Sequence, residues 1–573
     1  MARSMSLVGA ALLIAGLANS ARADSLPRPL SAVDSVAVLK QARRAQRDFE
    51  SRRFMLLPVV PSAGSRCDVR VGRWCYWQDD AEDAPGEPKK IADLRSRFLD
   101  RLASLAARVP GDRWISGQRV RYLSEARRGA EAVAVARDCR AEPSWCASLA
   151  VIAYRAAGDI PAADSALSAA LAAMPEEQRC AALDIGPLIE GTFRDRYRAA
   201  SCSERDSLTA RWLWLARGSY ADSSNEVRVE IFSRRLFAQL ASESTSPYGP
   251  ITAPDLRELV LRYGWSESWG RSEPGAGLTD RGTAVGFDGP HTFALAPDDG
   301  ALADLSTIGD PPRLRNDPTA RARFPIHGTR TLGGLAHRLA LFRRGDSTLA
   351  IAAYDASADT AMRGVDSATV AFALLRDEHT APVVARAVHG TRGIVTAMAP
   401  WRPALVAVEL RDSASSRAAR ARIGVPLGDT ASGRVGLSDL LLFAADSDMA
   451  TALDSVVSRA IVDGRIPGGA RLGIFWEMYG LDQGERVTAS VGLIPDQSGF
   501  LRRAAERAHL VEPRTPIHLR WEDAPEVIGS VGGRILTLGL DGVAEGSYTV
   551  ELTLSVEGQP TRRAASRVRI VSP

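Results

Sequence analysis

The stretch CRAEPSWCASLAVIAYRAAGDIPAADSALSAALAAMP, Cys139–Pro175, decides how the first half of the chain is read. Its apolar residues recur at three- and four-residue steps, which predicts helices. Tyr154 supplies a bulky residue and Gly158 a glycine in the first helix. Ala163, Leu167 and Ala170 fall where a second helix crosses it, and Pro175 terminates the pattern. Small side chains at a crossing matter because two helix axes approach closely only where side chains are short. The stretch therefore predicts a helix hairpin.

An upstream copy is present in GQRVRYLSEARRGAEAVAVARDC, where Leu123, Ala132 and Cys139 occupy comparable places about 31 residues earlier. Tyr154, Gly158, Ala163, Leu167, Ala170 and Pro175 stand at spacings that resemble the tetratricopeptide repeat. That resemblance implies stacked helix hairpins offering a concave surface to a protein partner. Helical periodicity runs from Ile91 to Cys202, and an earlier amphipathic helix is expected over Ser31–Phe54, with Val33, Val36, Leu39, Ala42 and Phe49 on its apolar face.

All six cysteines, Cys67, Cys75, Cys139, Cys146, Cys180 and Cys202, lie in the first 202 residues. The chain opens MARSMSLVGAALLIAGLANSARADS, with Arg3, an apolar core from Leu7 to Leu17 and a small-x-small site at Ala21 and Ala23. This is the layout of a secretory signal cleaved after Ala23. A periplasmic or secreted destination follows, and no further apolar run is long enough to span a membrane. An even cysteine count in an exported chain points to disulfides, for which fifteen connectivities exist. Pairing between sequence neighbours is expected: 67 with 75, 139 with 146, 180 with 202. Zinc would want C-x2-C or C-x4-C spacing with histidines close by, and the nearest histidine is His291. A thioredoxin-like pair needs two intervening residues.

Net charge is +4, or +2 once Arg3 and Arg22 leave with the signal, too near balance to imply a nucleic-acid partner. Lysine occurs only at positions 40, 89 and 90, so almost every cation is arginine, which reads as genomic base composition. Between Cys67 and Lys90, an aromatic loop precedes an acidic run; Trp74, Tyr76 and Trp77 there, and Tyr154 on the hairpin, are the candidate contact residues. Further on, Ser223 and Glu226 form a capping-box pattern that starts a helix near Asn225. Glu226, Glu230 and Arg234 then share one helix face. Two carboxylates so placed invite an acid–base reading, against which stands the commoner intrahelical ion-pair ladder.

Trp212-x-Trp214, Asn225-Glu226 with Arg234 downstream, and Arg262-Tyr263-Gly264 resemble the GWxTD domain of exported bacterial proteins. The resemblance covers about residues 210–300, with echoes at Gly436–Phe443 and Phe475–Leu481. In place of the naming motif the chain carries Gly264-Trp265-Ser266-Glu267, with Thr279-Asp280-Arg281-Gly282 following. It implies an exported, multidomain envelope or surface protein and no catalytic residue.

From about Leu332 the period becomes two. Leu339 and Leu341, the turn Gly345-Asp346, and Leu349, Ile351 and Ala353 predict a hairpin; Val370, Phe372, Leu374 and Val406, Val408, Leu410 predict further strands. In GSYTVELTLSVEG, Tyr548, Val550, Leu552, Leu554 and Val556 face one way and polar residues the other, the mark of a one-sided buried strand. The expected fold is α+β multidomain: a signal at 1–23, a helix and Cys-bracketed loop at 24–90, tetratricopeptide-like helices at 91–210 and a GWxTD-like mixed region at 211–320. Immunoglobulin-like antiparallel sandwiches follow at 321–430 and 466–573, separated by a linker with a short helix at 431–465.

Motifs for a zincin, a nucleophile elbow or a phosphate loop are absent from the sequence, and no cofactor or metal is expected. Asp377-Glu378-His379 reads as a hairpin loop, and Asp446 with Asp448 as half a calcium loop without its glycine and glutamate. The function expected is that of a non-enzymatic, protein-binding scaffold of the cell envelope, its hairpins forming the interaction surface and its sandwiches acting as spacers or adhesive modules. The alternatives are a hydrolase with a site in the middle region and a structural part of an envelope or secretion assembly.

Overall fold

The computed structural model describes residues 32–60, 69–72, 74–76, 84–249, 253–273, 282–287, 291–308, 320–426, 434–446, 452–496, 516–528 and 531–572. The signal-like segment, Cys67, Trp77, Thr279–Arg281 and Asp448 lie outside them. Helices fill most of the chain up to Tyr263, and antiparallel sheets dominate from Thr331 onward, so the fold is α+β and multidomain.

Helices α1 (Ala32–Leu56), α2 (Lys89–Arg108), α3 (Arg113–Glu125), α4 (Gly129–Arg137), α5 (Pro143–Ala156) and α6 (Ile160–Ala172) pack as successive neighbours. The two hairpins α3–α4 and α5–α6 repeat at 31 residues down to their turn hydrogen bonds. Arg128 N donates to Leu123 O at 2.9 Å and Asp159 N to Tyr154 O at 2.9 Å. Each turn swings through one left-handed residue, Arg127 (φ 57°) in the first hairpin and Gly158 (φ 78°) in the second. Gly158 thus stands in the turn beyond α5 and not within the first helix, because the chain reverses through a backbone conformation that glycine adopts without steric cost. Ala132 and Ala163, equivalent across the repeat, are fully buried where the helices cross.

Helix α1 forms where periodicity placed it, but its inward row is Val38, Ala42, Gln46, Phe49, Glu50 and Arg53, while Val36 is 67% exposed. The polar members of that row are buried because partners on α3 meet them, as described below. Disulfide Cys139–Cys146 (Cα–Cα 5.6 Å) ties the end of α4 to the first turn of α5. Disulfide Cys180–Cys202 (Cα–Cα 5.8 Å) ties α7 (Glu176–Ala182) to the start of α9 (Cys202–Ala216), with α8 (Gly191–Ala199) between them. Cys75 lies on β3 (Trp74–Tyr76), which pairs antiparallel with β2 (Val69–Val71).

Helix α10 (Glu226–Ser242) begins on Asn225, whose side chain accepts from Arg228 N at 3.2 Å; the cap is Asn225 and not Ser223. Twelve of its seventeen residues are buried, and it lies across α3, α5 and α6, sharing one core with them through Val229, Phe232, Leu236 and Leu240. The face of the hairpins that the repeat resemblance leaves for a partner is therefore filled by the chain itself. Helix α11 (Pro254–Tyr263) leads into β4 (Ser268–Ser272), which pairs parallel with β1 (Val59–Val60) and antiparallel with β5 (Ala284–Phe287). A short helix α12 (Asp299–Ala303) follows.

The first sheet module sets a five-stranded sheet against a three-stranded one. The former holds, in order, β10 (Val383–His389), β9 (Ala368–Leu375), β12 (Leu405–Asp412), β13 (Arg417–Gly424) and β6 (Thr331–Gly334); the latter holds β11 (Arg392–Ala399), β8 (Ser347–Asp355) and β7 (Ala336–Arg344). Leu341, Ala352, Phe372, Val408 and Ala421 meet in the core between them. Leu341 pairs with Ala350, so the two-residue turn at Gly345-Asp346 puts Leu341 and Ile351 on opposite faces of the hairpin. Both faces are buried: Ala340, Phe342, Ile351 and Ala353 pack against Leu441, Phe443 and Phe475 of the second module.

In the second module, β17 (Arg471–Tyr479) pairs on one side with β20 (Val531–Gly539) and on the other with β14 (Gly436–Leu437) and then β15 (Leu441–Ala444), a strand interrupted at Ser438–Leu440. The facing sheet runs β16 (Arg465–Pro467), β22 (Arg562–Val571), β21 (Gly546–Val556), β18 (Val487–Pro495), β19 (Ile517–Asp523). Every residue expected on the inner face of β21, from Tyr548 to Val556, is buried. The short helix expected in the linker is α13 (Leu453–Val457). Among the described residues no helix is long and apolar enough to cross a membrane.

Candidate functional site

Among the described residues, a dense gathering of ionisable groups lies where α1, α2 and α3 meet the aromatic turn after α11. Glu50 Oε1 accepts from the Tyr122 hydroxyl at 2.6 Å, and the Arg53 guanidinium lies 2.9 Å from Glu125 Oε2. Arg121 donates to Glu125 Oε1 at 3.0 Å and to Ser244 Oγ at 2.8 Å. Gln46 joins through the Tyr122 hydroxyl at 2.8 Å and the Thr245 carbonyl at 2.6 Å. Arg53 stacks on Trp269 at 4.2 Å from the ring centre, and Arg121 on Trp265 at 5.3 Å. Burial pushes the Glu50 carboxyl up in spite of Arg53 and Arg121; burial acts the same way on Glu125, but Arg121, Arg53 and Arg95 outweigh it and hold that carboxyl below its usual range. Glu50, Arg53 and Arg121 are at most 2% exposed, so this is a sealed keystone and not a cleft. Polar residues at helical spacing inside an apolar face, Gln46, Glu50 and Arg53, were its signal in the sequence.

The acid–base candidates on α10 separate. Glu230 accepts from Arg234 Nε at 2.7 Å and from both Arg155 Nε and Nη2, the latter at 3.0 Å. Burial alone would raise its carboxyl, but the two guanidinia hold it at about 2. Arg234 goes on to donate to the carbonyls of Leu261 (3.1 Å), Arg262 (2.8 Å) and Arg323 (2.7 Å), which closes the C-terminus of α11. Glu226 turns elsewhere: its Oε2 accepts from His327 N at 2.8 Å, and it packs so closely on Gly218 that a Cβ there would stand 2.0 Å from Oε1. Burial pushes this carboxyl up to about 7, only partly offset by the His327 hydrogen bond.

Two further carboxylates lock the modules together. Glu409 on β12 accepts from Tyr220 N at 2.9 Å, Ala221 N at 3.2 Å and Ser219 Oγ at 2.6 Å. Beside it, Arg422 donates to Leu215 O at 2.5 Å and Arg420 to Gly218 O at 2.8 Å, two cations set against the carbonyl end of α9. Trp214, Leu215 and Tyr220 pack there on Ala373, Leu375, Leu405 and Ala407. At the second joint Glu477 takes both Arg344 nitrogens, at 2.6 and 2.9 Å, and the Tyr479 hydroxyl at 2.9 Å. Tyr479 Oη in turn accepts from Arg343 N at 2.8 Å, and Asp439, thrown outward by the break between β14 and β15, accepts from Leu341 N at 2.9 Å. The free edge of β7 is thereby covered.

Of the other sequence-singled residues, Tyr154 is half-buried and its hydroxyl accepts from Arg137 Nε at 3.3 Å. Trp74 and Tyr76 fall on β3 of the small hairpin. Asp377 caps its own loop, accepting from Thr380 N at 2.7 Å, while Glu378 pairs with Arg211 at 3.1 Å. Asp446 pairs with Arg459 at 2.6 Å. Of the residues quoted for the family resemblance, Asn225 Nδ2 donates to Leu213 O at 3.0 Å at one end of α10, and Arg234 donates to the Arg262 carbonyl at 2.8 Å farther along it.

No family model and no curated protein matches the chain. Among solved structures it is similar to red sea bream transglutaminase (10% identity, TM-score 0.14), covering 42% of this chain and 32% of that one. It is also similar to E. coli alpha-2-macroglobulin (11%, TM-score 0.16; 44% and 18%) and to the Enterococcus faecalis adhesin ACE (8%, TM-score 0.10; 41% and 94%). The chain thus spans about a third or less of the length of the first two. Likeness at this level carries no functional argument.

Proposed function

We propose that the chain is an exported, non-enzymatic protein-binding scaffold of the cell envelope, related to the GWxTD group, with tetratricopeptide-like hairpins as contact surface and immunoglobulin-like modules as stiff spacers. The observation that carries this reading is the fate of the α10 carboxylates. Glu230 is sealed between Arg155 and Arg234, and Glu226 faces Gly218 and His327 N, so the pair does not share a space in which a substrate could sit. With α10 lying across α3, α5 and α6, the contact surface is the part of the hairpins that it leaves uncovered, around α4 and Tyr154. Two joints, each closed by a buried carboxylate, make the spacer stiff.

Capture from envelope extract with the full mature chain tests this. A stoichiometric partner that is lost with the double variant Tyr154→Ala, Arg137→Ala, while the fold stays intact by circular dichroism, supports the scaffold. A hydrolase reading is favoured by one observation, the Glu226 carboxyl raised to about 7. Turnover in a broad hydrolase screen, abolished by Glu226→Gln, would replace the scaffold reading with an enzyme.

A further inference from the structure

Between the two sheet modules lies a cleft of about 340 Å³, within the range of small-molecule sites. Its walls are apolar: Leu339 of β7, Ile423 of β13, Leu440 and Leu442 around β15, and Ile461. Its polar lining is cationic or neutral, with Arg338, Arg567, His337 and Ser566, and among the described residues no carboxylate lines it. Arg338 crosses the joint, donating through Nη1 to Ser566 Oγ at 2.7 Å and through Nη2 to the Arg567 carbonyl. Gly464 makes this possible, since a Cβ there would stand 2.0 Å from Nη2. The guanidinium is thus fixed in place by two neutral acceptors. Its Nε is buried and has no hydrogen-bond partner in the structure. No carboxylate among the described residues lies within ion-pair distance of it, and burial pulls the group below its usual value with only Asp463 opposing from farther off. A half-buried guanidinium without an acid beside it is under-compensated, and a fixed one with a spare donor is ready to take an anion. Elsewhere in the same interface, Arg344 is neutralised by Glu477.

We infer that this cleft binds a small amphiphilic monoanion, its carboxylate or sulfonate head on Arg338 beside the exposed Arg567 and its apolar body against Leu339, Ile423, Leu440 and Ile461. The inference does not depend on the scaffold reading, since it concerns a small molecule lodged in the joint and not a protein on the hairpins.

The test uses the full mature chain, with 8-anilinonaphthalene-1-sulfonate as reporter and decanoate and decanol as competitors. One saturable fluorescent site per chain is expected, displaced by decanoate and at least tenfold less effectively by neutral decanol. Arg338→Met should weaken binding tenfold or more and Arg338→Lys less so. Ile423→Trp, which fills the cleft without touching the cation, should also abolish saturation. Unsaturable binding, equal displacement by decanol, or an unchanged affinity in Arg338→Met would overturn the proposal. If Arg338→Met fails to fold, the decanoate–decanol comparison and Ile423→Trp decide it.

Discussion

Glu226 and Glu230 are one helical turn apart and titrate in opposite directions, because one is buried beside backbone and the other between two guanidinia. For Glu230 the folded carboxyl drops from 4.5 to about 2, which corresponds to stability on the order of 3 kcal/mol. That stability is fully present above the unfolded value and lost as pH falls toward 2. Glu230→Gln, which leaves Arg155 and Arg234 unpaired, should therefore destabilise by about 3 to 5 kcal/mol at pH 7 and by distinctly less at pH 3, read from urea unfolding. For Glu226 the sign reverses. A folded value raised from 4.5 to about 7 stabilises the fold fully below 4.5 and ceases to do so as pH rises through 7. Glu226→Gln can keep the acceptor for His327 N but cannot ionise, so its Tm should exceed the parent's at pH 8 and match it near pH 4.

At the scale of elements, the two hairpins offer an internal control. Arg127 occupies the left-handed position that glycine fills in the second copy. The strain there is about 1 to 2 kcal/mol, whereas its exposed pair with Glu267, at 2.9 Å, contributes less than about 1 kcal/mol. Arg127→Gly should raise stability by roughly 0.5 kcal/mol, seen as a higher urea midpoint at unchanged slope. Gly158→Ala should lower it by about 1 kcal/mol, since the new Cβ meets strained backbone and the His327 ring at 3.1 Å. Much of this level was legible in the sequence: the 31-residue repeat, the helix starting at Asn225, the strand parities of β7, β8 and β21. The misplacements have physical causes. Gly158 read as helical because spacing does not report φ. The α1 face read through Val36 because hydrophobicity ranks Glu50 and Arg53 as surface, and only partners 72 residues away on α3 make their burial tolerable. The inner face of the hairpins reads as an open groove because nothing in α10's own pattern says which neighbour it covers.

At the scale of the whole molecule, the modules are not a row of separately buried units. Clusters of apolar side chains straddle both joints, each sealed by a carboxylate with its own cations or backbone donors. Such interfaces couple unfolding. Calorimetry of the full chain should show the sheet modules melting together, and Glu477→Ala should split that transition, with the second module leaving first. Sequence patterning located the strands but not this coupling, since Glu409 and Glu477 lie on strands whose opposite faces already account for their periodicity, and Asp439 falls in the break between β14 and β15.

The covering of β7 by Asp439 and Tyr479 also bears on how the protein can be dissected. A fragment ending near residue 426 would present the amide hydrogens of Leu341 and Arg343 bare, alongside the uncovered Phe342 and Ile351. An edge of that kind recruits a like strand from a second molecule, so such a fragment is destined to polymerise through it, and a soluble half-molecule must be cut elsewhere.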